Sequence, residues 1–140
     1  MAKPVTPLLA ADCVVLDPEN RVLLIRRGNE PFRGHFALPG GFVDVGETVE
    51  DACRRELMEE TGVKAGKLVL IGVFSDPTRD PRGHTVGIAY LTRVRSAKAI
   101  AGDDAAAVEW VSNWQRLKLA FDHKRILRMA MRLPEAAAKS

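Results

Sequence analysis

Residues 48–62 constrain this chain more than any other part of it. Thr48 is a preferred N-cap residue and Gly62 a natural C-terminal stop, which predicts a helix of about 13 residues between them. At about 100° per residue, Val49, Ala52, Cys53 and Leu57 fall on the stripe that such a helix buries. Glu56 and Glu60 continue that stripe, and Glu59 stands one turn from Glu56. Like charges at these spacings repel. Partly buried, unpaired carboxylates are costly, and acids near a helix C-terminus oppose its dipole. Arg55 alone does not balance three glutamates. The bland alternative is a solvated acidic face, but the crowding favours acids that take up protons or share a cation. Oxygen donors without His or Cys point to a hard divalent ion, Mg²⁺ or Mn²⁺.

The elements around this helix are mixed. Residues 8–16 read as a strand and 17–20 as a turn cluster. Residues 21–26 resume as a strand, so the pair resembles a hairpin. Residues 27–35 predict a loop and 36–38 a short extended piece, which leads into the turn of Pro39, Gly40 and Gly41. Residues 67–74, 84–94 and 108–111 predict further strands, and residues 95–106 a loop. A second helix is predicted over 122–133, with Ile126, Leu127, Ala130 and Leu133 as its apolar stripe. The tail, 134–140, is expected to fray. Together these give an α/β or α+β sandwich.

At 140 residues the chain fits one domain, 1–140. Hydrophobic residues at 46% and charged residues at 28% exclude a disordered chain. No apolar run approaches the roughly 20 residues needed to cross a bilayer, and no secretory signal opens the chain. A soluble, cytoplasmic protein without a membrane partner is expected. Cys13 and Cys53 form no disulfide framework or metal pattern, and Cys13 reads as core. A net charge of +3, without a basic tract, argues against a nucleic-acid polymer as partner.

From Gly41 to Val63 the sequence reads GFVDVGETVEDACRRELMEETGV. It resembles the signature of the Nudix hydrolases, G-x₅-E-x₇-R-E-U-x-E-E-x-G-U with U aliphatic. Every defined position is filled, by Gly41, Glu47, Arg55, Glu56, Leu57, Glu59, Glu60, Gly62 and Val63. A chance match from average residue usage is on the order of one in ten million or rarer. The resemblance implies the family's α/β/α sandwich with a mixed sheet and a loop–helix–loop catalytic motif over 41–63. By family likeness Glu56 and Glu60, joined by Glu59, ligate a divalent metal, and the carbonyl of Gly40 or Gly41 is a further ligand. Arg55 is implied to orient a glutamate of the motif. Glu47 is that partner, an outer ligand, or an acid placed on the helix dipole.

The implied reaction is hydrolysis of a nucleoside diphosphate linked to another moiety. The loop 75–84, with the later Leu119-Ala120-Phe121-Asp122-His123, resembles the ADP-ribose pyrophosphatase branch of the family, implying ADP-ribose and water as reactants and AMP and ribose 5-phosphate as products. Glu56 and Glu109 compete as general base; the plain reading of Glu109 is an exposed strand acid beside Trp110. Arg79 and Arg82, in the proline-bearing loop 75–84, are candidate phosphate or ribose ligands, against a rigid turn with Asp80 pairing an arginine. Arg26 and Arg27 end a strand, and one of them is a candidate diphosphate contact, since alternate strand residues point opposite ways. Family likeness also implies a homodimer. An 8-oxo-dGTP-type triphosphatase is the alternative enzyme, and a non-catalytic ADP-ribose sensor the alternative of another class. RNA decapping would want a larger basic surface.

Overall fold

The computed structural model describes residues 2–95, 98–102 and 105–137. In chain order its elements are β1 (Leu8–Leu16), β2 (Val22–Arg27), β3 (Phe36–Ala37), β4 (Gly40–Phe42), α1 (Val49–Thr61), β5 (Val69–Phe74), β6 (Thr85–Arg93), β7 (Ala105–Val111) and α2 (His123–Ala130). The strands form one mixed sheet. β1 runs parallel to β6 from Leu8↔Thr85 to Leu16↔Arg93, and β5 lies antiparallel on β6.

Period-two alternation along β1 divides the core between two helices. Ala11, Cys13 and Val15, with Leu23 of β2, pack on Ala52, Cys53 and Leu57 of α1. Val14 and Leu16, with Val22 and Leu24, pack under Ile126, Leu127 and Ala130 of α2. A helix on each face makes the expected α/β/α sandwich, and it explains the nearly unbroken apolar run of β1, which is covered on both sides. Cys13 and Cys53 are both buried as free thiols.

The hairpin expectation needs correcting. β1 and β2 share a single registered pair, Leu16↔Val22, across a turn closed by the Asp17 carboxylate, which accepts from the Glu19 and Arg21 amides at 3.0 and 2.8 Å. Beyond it the strands part. β1 pairs with β4 through Ala10↔Phe42, Ala11↔Gly41 and Asp12↔Gly40, while β2 pairs with β3 and β7. The sheet therefore splits between β1 and β2, and the split opens a cleft.

Other boundaries shift for local reasons. β7 begins at Ala105 instead of 108 because β2 supplies pairing partners as far as Arg27↔Ala105. The predicted loop over 95–106 thus loses its end to a strand, and residues 96, 97, 103 and 104 of it lie outside the described residues. α2 stops at Ala130, short of 133, because Pro134 favours the extended backbone seen at Leu133, ψ 142°. The frayed tail is also corrected in part. Pro134–Ala136 form a 3₁₀ turn in which Ala136 is buried and its carbonyl accepts from Asn20 Nδ2 at 3.1 Å. Residues 138–140 lie outside the described residues.

Candidate active site

α1 is built as its sequence predicts. Thr48 caps it, its Oγ1 accepting from the Asp51 amide at 3.0 Å, and Gly62 ends it in the left-handed region at φ 72°. Burying Ala52, Cys53 and Leu57 on the sheet fixes the helix's rotation, so Glu56 and Glu60 emerge at the mouth of the split. There they meet β4. The Gly40 amide donates to Glu60 Oε1 at 2.7 Å. Gly41 lies so close to Glu56 that a Cβ there would stand 2.5 Å from its Cδ and 2.6 Å from Oε1. The missing side chain at 41 is thus a cradle for the Glu56 carboxylate.

Arg55 organises the acids. Its Nε and NH2 donate to the two oxygens of Glu47 at 2.7 and 2.9 Å, in the bidentate fork that a guanidinium suits. NH1 reaches Glu56 Oε1 at 2.9 Å and Glu59 Oε1 at 3.0 Å, and NH2 donates to the Phe42 carbonyl at 3.1 Å. The fork holds the Glu47 carboxyl down at about 2, aided by the Asp44 amide, and Glu47 in turn holds the Arg55 guanidinium above its usual range. Burial pushes the Glu56 carboxyl up, against the pull of Arg55. Glu59, 59% exposed, stays on the outer side.

The cleft has a volume of about 380 Å³. Ala10 and Asp12 of β1, with His123 of α2, line its floor; Gly40, Gly41, Glu56 and Glu60 form one wall. At the mouth, the guanidiniums of Arg27 and Arg82 stand 5.1 and 5.7 Å from the centre of the Phe121 ring. Burial, and then the neighbouring Arg82 cation, lower the Arg27 guanidinium from its usual value. Phe121 holds a left-handed backbone, φ 53°, which costs strain in a bulky residue and recurs at ligand sites.

The candidates from sequence divide accordingly. Gly40, Gly41, Glu56, Glu60, Arg27, Arg79 and Arg82 line the cleft, and Glu47, Arg55 and Glu59 form the network behind it. Arg26 turns away, donating to the Gly34 carbonyl at 2.8 Å and lying 4.3 Å from the centre of the Phe36 ring. Glu109 is exposed on β7 opposite Leu24 and is not among the cleft residues. Arg79 is buried, with Nε and NH2 committed to Asp122 at 2.9 and 2.7 Å, so its role is to tie loop 75–84 to the start of α2. Arg82 is half exposed and held by Asp80 at 2.8 Å. Sequence reasoning missed Asp12, and it placed Phe121 in the branch-like segment 119–123 without giving it a role of its own. The signal for Asp12 was available: a lone carboxylate inside an apolar strand has a polar reason to be there.

A mixed sheet between two helices, with a Gly-Gly strand pressed against helix-borne glutamates, defines a class as well as a fold. The chain belongs to the NUDIX domain family, which matches residues 6–130. It is 48% identical over 126 residues to an ADP-ribose pyrophosphatase of Methanocaldococcus jannaschii, covering 90% of this chain and 74% of that protein. It is 33% identical over 133 residues to the ADPR responsive transcriptional repressor NtrR of Acinetobacter baylyi, covering 89% of this chain and 53% of the repressor. Among solved structures, the NUDIX domain of Shewanella oneidensis NrtR complexed with ADP ribose superposes with a TM-score of 0.84 at 30% identity, over 90% of this chain and 87% of that one.

Proposed function

We propose that this protein hydrolyses the diphosphate bond of a nucleoside diphosphate joined to another group, with ADP-ribose as substrate and AMP and ribose 5-phosphate as products. The observation that carries the reading is the pair of carboxylates, Glu56 and Glu60, brought to the cleft wall beside Gly40 and Gly41 while Arg55 is locked onto Glu47. The 48% identity to a named ADP-ribose pyrophosphatase supports the substrate.

Among the described residues no three His, Cys, Asp or Glu side chains stand grouped as a finished metal cage. The donor chemistry nevertheless fits a hard divalent ion, Mg²⁺ or Mn²⁺. Hard carboxylate oxygens meet at a glycine cradle with no His or Cys among them, and burial burdens Glu56 with a charge that a cation would relieve. Glu56 and Glu60 would hold the ion, with Glu59 completing the set and the backbone of Gly40 or Gly41 as a further donor. Such an ion withdraws charge from phosphoryl oxygens and lowers the pKa of water. The protein's own part is positional. Arg55 keeps the glutamates in place. Arg27 and Arg82, two cations flanking one ring, offer charge to the diphosphate. Glu109, outside the cleft, is left out of the reaction.

We extend the reading to a cytoplasmic protein, as composition suggests, and on family likeness to a homodimer. Among the described residues no helix is long and apolar enough to cross a membrane, and exposed Val5, Leu8 and Phe42 share an apolar groove beside the cleft.

The test is kcat/KM over ADP-ribose, NADH, a diadenosine polyphosphate and 8-oxo-dGTP, each with Mg²⁺ and with EDTA. ADP-ribose should lead and chelation should abolish turnover, while Glu60→Gln should cut kcat by roughly 10³-fold. A preference for the triphosphate would overturn the substrate, and turnover in EDTA would overturn the metal.

A further inference from the structure

The cleft floor carries a carboxylate that the proposed reaction leaves unused. Asp12 sits on β1 with its side chain 9% exposed, and it lines the cleft. Its nearest cationic partners stand off. Arg79 NH2 is 3.8 Å from Oδ2 and His123 Nε2 is 3.7 Å from Oδ1, both beyond hydrogen-bonding distance. Arg79 is already committed to Asp122. Gly40 keeps the carboxylate open on the β4 side, since a Cβ there would stand 2.6 Å from Asp12 Oδ1.

His123 has a defined tautomer. Its Nδ1 accepts the Leu38 amide at 3.0 Å, so Nε2 carries the proton and faces Asp12. The floor thus presents an acceptor and a donor 3.7 Å apart, so one small polar group seated beside the pair can meet both. A hydroxyl matches both, donating to Asp12 and accepting from His123. An amine only donates and leaves the His123 N–H unmet. A phosphate brings acceptors and negative charge against a buried carboxylate.

We infer that Asp12 and His123 form a sugar-recognition element in which a ribose hydroxyl of the substrate bridges Asp12 Oδ1 and His123 Nε2. The inference rests on the reading of the cleft as a nucleotide-sugar site and names the group that distinguishes its substrates.

The experiment is a coupling cycle read as Kd by calorimetry, so that it is scored whether or not turnover occurs. Wild type, Asp12→Ala and the isosteric Asp12→Asn are titrated with ADP-ribose, with deoxy analogues that lack in turn each hydroxyl of the adenosine ribose and of the terminal ribose, and with inosine diphosphate ribose. Asp12→Ala should weaken ADP-ribose at least tenfold, and one deoxy analogue should weaken wild type comparably. That analogue should lose little more on Asp12→Ala, because the two changes delete the same contact. Which analogue couples tells which ribose is held. Additive losses with every deoxy analogue would overturn the inference, as would coupling to the inosine analogue, which would assign Asp12 to the base amine. If Asp12→Ala does not fold, Asp12→Leu, close in shape to the aspartate but without an acceptor, carries the same comparison. Failure of wild type to hydrolyse ADP-ribose would remove the proposed reaction and leave this cycle standing.

Discussion

Arg55 grips Glu47 through both Nε and NH2, at 2.7 and 2.9 Å, across the loop that leads into α1. The clasp fixes the guanidinium so that its remaining nitrogen can hold Glu56 and Glu59. Lysine keeps the charge and loses the fork. Arg55→Lys should therefore lower kcat by about 10²-fold, the scale of a misplaced catalytic geometry, while the melting temperature changes little. Steady-state kinetics beside a thermal melt would check this; an unchanged kcat would remove Arg55 from the positioning of the acids.

The two glycines of β4 should fail differently. In Gly41→Ala the new methyl meets the far end of the Glu56 side chain, which can swing away. The fold should survive and turnover should fall by about 10²-fold as the carboxylate leaves its place. In Gly40→Ala the methyl meets the Ala11 carbonyl and the Asp12 backbone, which cannot yield without opening the β1–β4 pairing. A loss of about 1–3 kcal/mol in denaturant unfolding is expected for that variant. Equal effects of both on stability would contradict the assignment.

Arg79 is the second arginine with a committed role. Its side chain is 5% exposed and its guanidinium faces Asp122 squarely. Removing one partner of such a pair strands the other charge, so Arg79→Ala should cost about 3–5 kcal/mol of stability. Arg79→Lys should recover only part of it, because one ammonium does not reproduce two parallel bonds. Urea unfolding of the three proteins decides the matter, and a loss confined to KM would return Arg79 to direct substrate contact.

His123 makes stability depend on pH with a definite sign. Burial lowers it from 6.5, and acceptance of the Leu38 amide requires the neutral ring. Asp12, Asp122, Arg79 and Arg27 face it. The unfolded chain takes up the proton first as pH falls, so this contribution is complete above 6.5 and declines as pH drops below that value toward the depressed folded one. Asp12, raised by burial, acts with the opposite sign above 3.8. His123→Asn should therefore flatten the fall in stability just below 6.5. Denaturant midpoints between pH 7 and pH 5 would show it, and parallel profiles for the two proteins would refute it.

Much of this was legible in the chain because the signals are local. Thr48, Gly62 and the stripe of Ala52, Cys53 and Leu57 specify α1 by capping and period alone, and the excess of acids along it announces a cation or proton site. Strand partners were less legible. The turn of 17–20 looks like a hairpin, yet nothing near residues 8–26 says that β4 will take the edge of β1 and that β3 and β7 will pair with β2.

By itself, then, the sequence determined the helix, its acids and their spacing, since these depend on neighbours within a few residues. Only the tertiary structure decided which cations are available. Arg26 and Arg27 are adjacent in sequence, yet one lies on Phe36 and the other faces the cleft; Arg79 and Arg82 share a loop, yet one is bound to Asp122 and the other stands at the mouth. Those outcomes rest on contacts from residues as far away as Phe121 and Asp122, and a charge's role is set by what lies within a few ångströms of it rather than by its place in the chain.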